Sequence, residues 1–219
     1  MNNWEYHPIA IVEADDFQNR YDRNGLNFLF YWKSIYPKFK ITLFTIPDKT
    51  SNDLLIDLPS WIEIAVHGFN HENNFECYGW DYDKTTVLMK KVLKDPNYVR
   101  IFKSPGWSIT PDHNGYPASS EDLITKDKQA VYKALRDLQF TVVDRHYNKP
   151  ERPNDLPVIC IDCNPDIVHM HTWKMDGTDE NGKNGFEQVE ERGVPWDRNT
   201  KFYFLSEALE KGLIRKCQY

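Results

Sequence analysis

The sequence has 219 residues, which suits one large α/β domain or at most two small ones. With 40% hydrophobic and 27% charged residues it can form a sizeable core, which excludes global disorder. The formal net charge is −6, and no cluster of Lys and Arg offsets it, so nucleic acid is an unfavourable partner. The first residues lack a basic segment followed by a long apolar run, and no apolar stretch approaches membrane-spanning length. We therefore expect a soluble, cytoplasmic protein that does not engage a membrane and that lysis of a host cell could release.

Predicted strands and helices alternate along the chain. In chain order they are a strand at 9–13, a helix at 26–36, a strand at 41–46, a short helix at 53–58, a strand at 62–66, a helix at 84–94, a strand at 99–103, an amphipathic helix at 126–139, strands at 140–143, 158–161 and 167–171, and a helix at 205–213. Residues 174–195 predict a long polar loop. This alternation predicts a mostly parallel sheet, open or curled into a barrel, with its functional side chains at the carboxyl ends of the strands.

Polar side chains with catalytic or metal-binding chemistry stand where the predicted strands end. Because the carboxyl ends of parallel strands meet at one rim, side chains that are distant in sequence are expected to converge there. The residues concerned are Asp15, Asp16, His67, His71, Lys103, Asp144, His169 and His171. The prediction of a site depends on this coincidence of position and not on any single residue.

His67 and His71 form the most specific of these signals. Two histidines four residues apart share one face of a helical turn, so their ring nitrogens can reach the same cation. Gly68 stands where zinc metalloproteases have a catalytic Glu, which excludes that mechanism. By itself the pair is equally compatible with metal binding and with two unrelated histidines.

The adjacent acids Asp15 and Asp16 and the strand histidines His169 and His171 extend this chemistry. Adjacent Asp residues most often cap helices or lie in solvated turns, but here one carboxylate could bind a metal with two histidines while the other deprotonates a water. His169 and His171 point to the same face of their strand, where one structural and one exposed histidine would be the ordinary arrangement. In the functional interpretation, His171 protonates a leaving amine.

The four cysteines include Cys160 and Cys163, which form a CxxC pair. A zinc ribbon would need a second such pair, and a redox dithiol usually opens a helix. This pair follows an apolar strand and precedes Pro165, so we expect reduced structural thiols.

The order of these segments resembles the NodB-homology polysaccharide deacetylases, which form carbohydrate esterase family four. The segment 13–17, Glu-Ala-Asp-Asp-Phe, is similar to the first motif of that family, Thr-Phe-Asp-Asp-Gly, and the segment 67–71 matches the second, His-x-x-x-His. The segment 102–107 is similar to the third motif, Arg-x-Pro followed by aromatic residues, 140–144 stands where the fourth is expected, and 167–171 is similar to the fifth, an apolar strand ending in His. The resemblance covers residues 9 to about 173.

The resemblance implies a single catalytic domain over residues 1–219 with the fold of these deacetylases, a distorted (β/α) barrel of about seven parallel strands. The implied activity is removal of N-acetyl groups from a carbohydrate, or from another small acylated amine, with one divalent metal ion as cofactor and zinc as the expected metal. The residues that the resemblance assigns are the metal ligands Asp16, His67 and His71, the catalytic base Asp15 and the catalytic acid His171. The side chains expected to bind substrate are Lys103, Pro105, Trp107 and Trp173, and the two Trp rings could equally be core packing.

Three departures from the family pattern indicate a divergent branch. Phe17 replaces the usual Gly, so the turn after Asp16 must differ. Lys103 replaces the usual Arg, and an ammonium offers a point charge to a carboxylate where a guanidinium offers a planar fork. Thr172 follows His171 where an Asp is common. These changes affect the expected identity of the substrate more than the expected binding of a metal.

Other functions stay open on the sequence. A hydrolase of cyclic amides or ureides on the same fold would be favoured by a small enclosed pocket, whereas an open groove favours a glycan. A catalytically inactive carbohydrate-binding relative is a second alternative, and an α/β domain with incidental histidines is a third. Metal content and acetate release from chitooligosaccharides separate these functions, and the sequence does not define the oligomeric state.

Overall fold

The structure, a computed structural model, describes residues 8–19, 22–72, 76–107, 109, 129–144, 154–172 and 196–214. Within these ranges strands and helices alternate. The strands are β1 (Ile9–Phe17), β2 (Ile41–Thr45), β3 (Ile62–His67), β4 (Tyr98–Lys103), β5 (Thr141–Asp144), β6 (Val158–Cys160), β7 (Ile167–His171) and β8 (Lys201–Tyr203). The helices are α1 (Asp22–Ile35), α2 (Asn52–Ile56), α3 (Tyr82–Val92), α4 (Ala130–Asp137) and α5 (Leu205–Glu210).

The strands form one parallel sheet in the order β6-β5-β4-β3-β2-β1-β7, and β8 pairs with the first residues of β1. β6 and β7 lie at the two ends of this order, and within the described ranges no pairing between them closes the sheet. The sheet is therefore a curled half-barrel. The predicted fold class, an α/β fold with about seven parallel strands in a distorted barrel, is confirmed.

The two faces of the sheet carry separate apolar clusters because successive side chains of a strand point to opposite faces. The concave face is lined by Ile11, Phe44, Ala65, Ile101, Val143 and Ile159, and Leu205 and Ala208 of α5 pack against this cluster. The convex face packs against the other helices, with Trp32 of α1, Met89 of α3 and Leu135 of α4 fully buried. Burial on both faces explains why the strands are nearly continuous apolar runs in the sequence.

The helices follow from local sequence signals. Ala130, Ala134 and Leu135 of α4 recur at helical spacing, and all three are buried. Helix α3 begins after Asp81, whose carboxylate accepts a hydrogen bond of 2.7 Å from the backbone N–H of Lys84. Such a cap stabilises a helix by about 1 kcal/mol. None of the helices in the described part of the chain combines the length and the apolar character needed to cross a bilayer.

Two elements differ from the sequence predictions. The strand predicted at 9–13 is present, but β1 continues through Asp15 and Asp16 to Phe17, so the predicted end of the strand was wrong. Strand β8 was not predicted, because three residues are too short to produce a periodic signal. Residues 126–128 of the predicted amphipathic helix and the predicted polar loop at 174–195 lie outside the described residues.

The CxxC segment has the strand-and-turn structure that the sequence predicted. Cys160 is the last residue of β6 and is buried, whereas Cys163 is exposed in the short 3₁₀ turn that follows. Neither is part of a disulfide within the described residues. This arrangement differs from a redox dithiol at the start of an α-helix.

Candidate metal centre and active site

The carboxyl ends of four strands meet at one end of the concave face, which we call the rim. The strand register places Asp15 of β1 beside His171 of β7, and His67 of β3 beside Lys103 of β4. Asp16 and His71 join this group from the residues that follow in β1 and after β3. The rim thus brings together the side chains that the strand-end pattern selected from four separate parts of the sequence.

Asp16 reaches the rim through an irregularity at the end of β1. The pairing with β2 shifts register between Ala14 and Phe17, and Asp16 has a positive φ of 70°. In a regular strand Asp15 and Asp16 would point to opposite faces, whereas this bulge lets both carboxylates reach the rim. Phe17 is buried in the convex cluster and holds the far side of the bulge. The turn after Asp16 was expected to differ because Phe17 replaces the usual Gly. The left-handed conformation of Asp16 itself makes the bend here.

Asp16, His67 and His71 converge on one point. The Oδ1 atom of Asp16 lies 3.2 Å from Nε2 of His67 and 3.0 Å from Nε2 of His71. This oxygen is buried, yet neither contact has the geometry of a hydrogen bond to it. A buried carboxylate oxygen that faces two imidazole nitrogens without a proper donor fits a divalent cation shared by the three ligands. The residues present therefore fit the metal that the resemblance implies.

The orientation of His67 is fixed from the other side of its ring. Nδ1 of His67 lies 3.2 Å from the backbone carbonyl oxygen of Lys103. Since a carbonyl oxygen can only accept, this hydrogen bond requires a proton on Nδ1, which leaves the lone pair of Nε2 directed toward Asp16. A backbone carbonyl in this position is a common support for a metal-binding imidazole.

The loop between His67 and His71 is not the helical turn that the spacing suggested. Gly68 and His71 both have positive φ, 58° and 45°. The carboxylate of Glu76 instead organises the loop, because it accepts hydrogen bonds from the backbone N–H groups of Phe69, Asn70 and His71 at 2.8 to 3.1 Å. The two histidines converge as predicted, but for a different physical reason.

Gly68 is required at its position by shape as well as by its positive φ. A Cβ atom there would lie 2.2 Å from Oε2 of Glu76 and 2.8 Å from Cγ of Pro105. The backbone N–H of Gly68 also donates to the carbonyl of Lys103 at 3.0 Å. The loop that carries His71 is therefore packed closely against Pro105, in the segment that follows β4.

The surroundings of Asp16 and His67 shift the pKa of each group in opposite directions. Burial would raise the pKa of Asp16, but the nearby side chains of His67 and His71 hold it well below its usual range. Burial would lower the pKa of His67, but the charges of Asp15 and Asp16 outweigh this effect and raise it. Metal binding to His67 therefore competes with a proton.

A second group of side chains, the rim cluster, adjoins these three residues and consists of Glu13, Asp15, Lys103, His169 and His171. Lys103 is fully buried, and its Nζ donates to Oδ1 of Asp15 at 2.7 Å and to Oε2 of Glu13. The other carboxylate oxygen of Glu13, Oε1, lies 2.6 Å from Nδ1 of His169. The ring of His169 meets that of His171 edge to face, with centroids 4.7 Å apart.

The rim cluster lowers the pKa values of Asp15 and His171, the two residues to which the resemblance gives catalytic roles, for different reasons. Burial alone would raise the pKa of Asp15, but the charge of Lys103, followed by those of the nearby histidines, lowers it to about 2. Burial lowers the pKa of His171, and attraction to Asp15 offsets this only in part. The rim therefore holds an ionised carboxylate beside an imidazole that releases its proton readily.

The residues predicted to bind substrate lie in different surroundings. Lys103 and Pro105 are buried, so neither presents a surface to a ligand here, and Lys103 instead holds two carboxylates. Trp107 is partly exposed, and its ring lies 4.8 Å from Nζ of Lys103 and 5.3 Å from the ring of His169. Trp173 lies outside the described residues.

Glu13 is the residue of the rim cluster that the sequence analysis missed as a functional group. Glu13 ends the strand predicted at 9–13, and no partner was predicted for it. The signal was present, because positions 13 and 15 lie on the same face of β1 and a buried Glu requires a partner. Asp144, expected at the fourth motif, is buried at the end of β5.

Comparisons with known proteins bear on the fold. No family model matches the chain, and no curated protein matches it. Among solved structures, the chain is similar to the Xyl-CE4 domain of a multidomain xylanase from the hindgut metagenome of Trinervitermes trinervoides, at 13% identity, with 97% of this chain and 94% of that one covered and a TM-score of 0.51. It is also similar to the T48 deacetylase with substrate, at 10% identity, with 96% and 94% covered and a TM-score of 0.50. At these identities the likeness establishes a shared fold.

Proposed function

We propose that this protein is a metal-dependent amide hydrolase that removes an N-acetyl group from a carbohydrate. The observation that carries the proposal is the buried Oδ1 of Asp16, which faces the Nε2 atoms of His67 and His71 at 3.2 and 3.0 Å. A second carboxylate, Asp15, lies beside these ligands and is bound to Lys103. One carboxylate and two imidazoles leave further metal positions open for water and substrate, which is typical of hydrolytic sites.

The division of labour between the two acids follows from their partners. Asp16, His67 and His71 would hold the cation, which when bound polarises an acyl carbonyl and acidifies a water. Asp15 would accept the proton of the attacking water at the carboxylate, since its low pKa keeps it ionised and Lys103 fixes its orientation.

His171 would supply the proton that the leaving nitrogen needs. Nitrogen and oxygen atoms of Asp15, His169 and His171 all lie within 4.8 Å of one another, so the proposed base and acid are close. Burial lowers the pKa of His171, so its imidazolium form is a strong proton donor to an amine. The overall reaction consumes one water and yields acetate and a free amine.

The substrate class is supported by the fold of the similar structures and by the aromatic residue at the rim. One of those structures is named as a CE4 domain of a xylanase and the other as a deacetylase with substrate. Trp107 is partly exposed next to His169 and offers a flat face of the kind on which a sugar ring stacks. We therefore propose an acetylated sugar rather than a cyclic amide.

The test combines elemental analysis with acetate release from acetylated chitooligosaccharides. We expect about one equivalent of metal per chain, with zinc the expected metal, and metal-dependent acetate release by the native protein. His67→Ala should lose both the metal and the activity, whereas Asp15→Asn should keep the metal and lose about 10²- to 10⁴-fold in kcat.

The exposed acid Asp48 provides a matched control, because Asp48→Asn changes the same functional group at a carboxylate that pairs with Lys91 of α3. It should retain both metal and activity. Metal that stays bound in His67→Ala would contradict the ligand assignment. If the protein binds metal and releases no acetate but opens a cyclic amide or ureide, the substrate class is a cyclic amide instead of an acetylated sugar. If it binds metal and hydrolyses none of these compounds, it is a binding protein.

A further inference from the structure

Glu13 and His169 form a buried carboxylate–imidazole pair that the proposed reaction does not use. The two residues are direct partners in the register of β1 and β7, one pair away from Asp15 and His171. Glu13 is fully buried, and its Oε1 lies 2.6 Å from Nδ1 of His169, whose side chain is 23% exposed. A buried carboxylate needs compensation for its lost hydration, so this pair is costly unless each contact is kept.

Glu13 connects the two sides of the proposed active site. Through Oε2 it binds Lys103, which also holds Asp15, and through Oε1 it binds His169. The ring of His169 in turn contacts the rings of Trp107 and His171, at centroid distances of 5.3 and 4.7 Å. Glu13 therefore links Lys103, which holds the proposed base Asp15, to His169, which lies beside the proposed acid His171.

A second cation is the competing explanation for this cluster, because the ligand atoms of Asp15, His169 and His171 lie within 4.8 Å of one another. The ammonium of Lys103 already contacts Asp15 at 2.7 Å and would lie against such a cation. Three buried carboxylates at the rim face one ammonium, so a single divalent cation at Asp16 balances their charge and a second would exceed it. The charges thus favour a positioning role for the pair.

We propose that Glu13 and His169 are positioning residues that hold the ring of His171 in place beside Asp15. The proposal rests on the proposed function, in which His171 donates a proton. Glu13 holds His169 at Nδ1 and so restrains the orientation of its ring, and the ring of His171 packs against it. Supports of this kind around an active site typically change activity by about 10- to 100-fold when removed.

The experiment measures kcat and KM for acetylated chitooligosaccharide, with zinc content and thermal stability, in three variants. Glu13→Gln keeps the size of the side chain but removes its charge, and His169→Leu removes the hydrogen bond. His169→Asn is matched to Leu in shape and retains a donor near the position of Nδ1. We expect about 10- to 100-fold lower kcat for Glu13→Gln and His169→Leu, with KM and one zinc per chain unchanged, and substantial recovery of kcat in His169→Asn.

A merely structural pair would lower thermal stability and leave kcat per folded molecule at the native value in all three variants, which would overturn the proposal. A second equivalent of zinc that disappears in His169→Leu would also overturn it. If the native protein binds zinc but releases no acetate, the proposed function fails, and crystal structures of native protein and His169→Leu decide the positioning role separately. Displacement of the His171 ring from Asp15 in that variant supports it, and an unmoved ring overturns it.

Discussion

The concave face of the sheet carries buried carboxylates toward both ends of its strands, in different surroundings. Near the amino ends, Glu63 of β3 lies in a group that we call the basal cluster, formed by Thr42, Glu63 and Ser206. Oε1 of Glu63 accepts from the Thr42 hydroxyl at 2.8 Å and from the Ser206 backbone N–H at 3.3 Å, and the Ser206 hydroxyl donates to Oε2. At the rim, the partners of the carboxylates are instead an ammonium and imidazoles.

The same functional group therefore has opposite titration behaviour in the two clusters. Burial raises the pKa of Glu63, and hydrogen bonds from Ser206 and Thr42 offset this only in part. At the rim, nearby cationic groups outweigh burial and lower the pKa of Asp15 to about 2. Hydroxyl and amide donors saturate the oxygens of Glu63 and tie α5 to the sheet, whereas Asp16 keeps a buried oxygen without a proper donor. The basal cluster is suited to structure, and the rim to binding a cation.

The largest effect is expected from removing the ammonium at the rim. Lys103→Met would leave Glu13 and Asp15 buried without their shared counterion, and breaking a buried pair in this way typically costs about 3 to 5 kcal/mol. Urea unfolding of the metal-free protein measures this loss. The control is Lys40→Met, which removes the part-exposed ion pair with Glu207 and should cost about 1 kcal/mol or less. Equal losses in the two variants would contradict the distinction between buried and exposed pairs.

Zinc should stabilise the rim without acting on the basal cluster. A ligand that binds only the folded state adds about 2.7 kcal/mol when its free concentration is 100 times Kd. We expect a gain of about this size in the native protein and in Ser206→Ala, and no gain in His67→Ala. Thermal unfolding with zinc and with a chelator measures the difference. Stabilisation of His67→Ala by zinc would locate the metal elsewhere.

The rim and the basal cluster should contribute to the pH dependence of stability with opposite signs. Asp15 has a folded pKa below its ordinary value of 3.8, so its contribution is present above that value and is lost as the pH falls toward 2, by about 2 kcal/mol. Glu63 has a folded pKa above its ordinary value of 4.5, so its contribution is full below that value and is lost as the pH rises through the folded pKa.

Urea unfolding of the metal-free protein across pH 3 to 7 measures this contrast. The stability of native protein relative to Asp15→Asn should rise with pH at the acid end, whereas its stability relative to Glu63→Gln should fall as the pH rises above 4.5. Parallel slopes for the two comparisons would show that the carboxylates share one type of environment.

The smallest effect is expected for Ser206→Ala in the basal cluster. The substitution removes a hydroxyl donor to Glu63 and leaves its backbone N–H in place, so it should cost about 1 kcal/mol. Thermal unfolding measures the loss, and metal content and kcat should be unchanged. A fall in metal content would mean that the two ends of the sheet are coupled.

The sequence predicted the convergence of distant residues better than the contacts among them. The strand-end pattern brought Asp15, His67 and His171 to one rim, because parallel strands carry their carboxyl ends to the same side. It did not reveal that Lys103 is buried between two carboxylates. A lysine at the end of a strand has the same local pattern whether it faces solvent or another strand. Only the curl of the sheet, which brings Lys103 of β4 to the carboxylates of β1, distinguishes the two.

The sequence by itself determined the alternation of strands and helices, the parallel sheet and most of the polar side chains at its rim, since these depend on the local order of apolar and polar residues. Only the tertiary structure decided the left-handed conformation of Asp16, the loop organised by Glu76 and the pairing of Glu13 with His169. Glu13 and His169 are 156 residues apart in the chain. Their contact depends on the register of two strands that are distant in sequence, and no local pattern encodes that register.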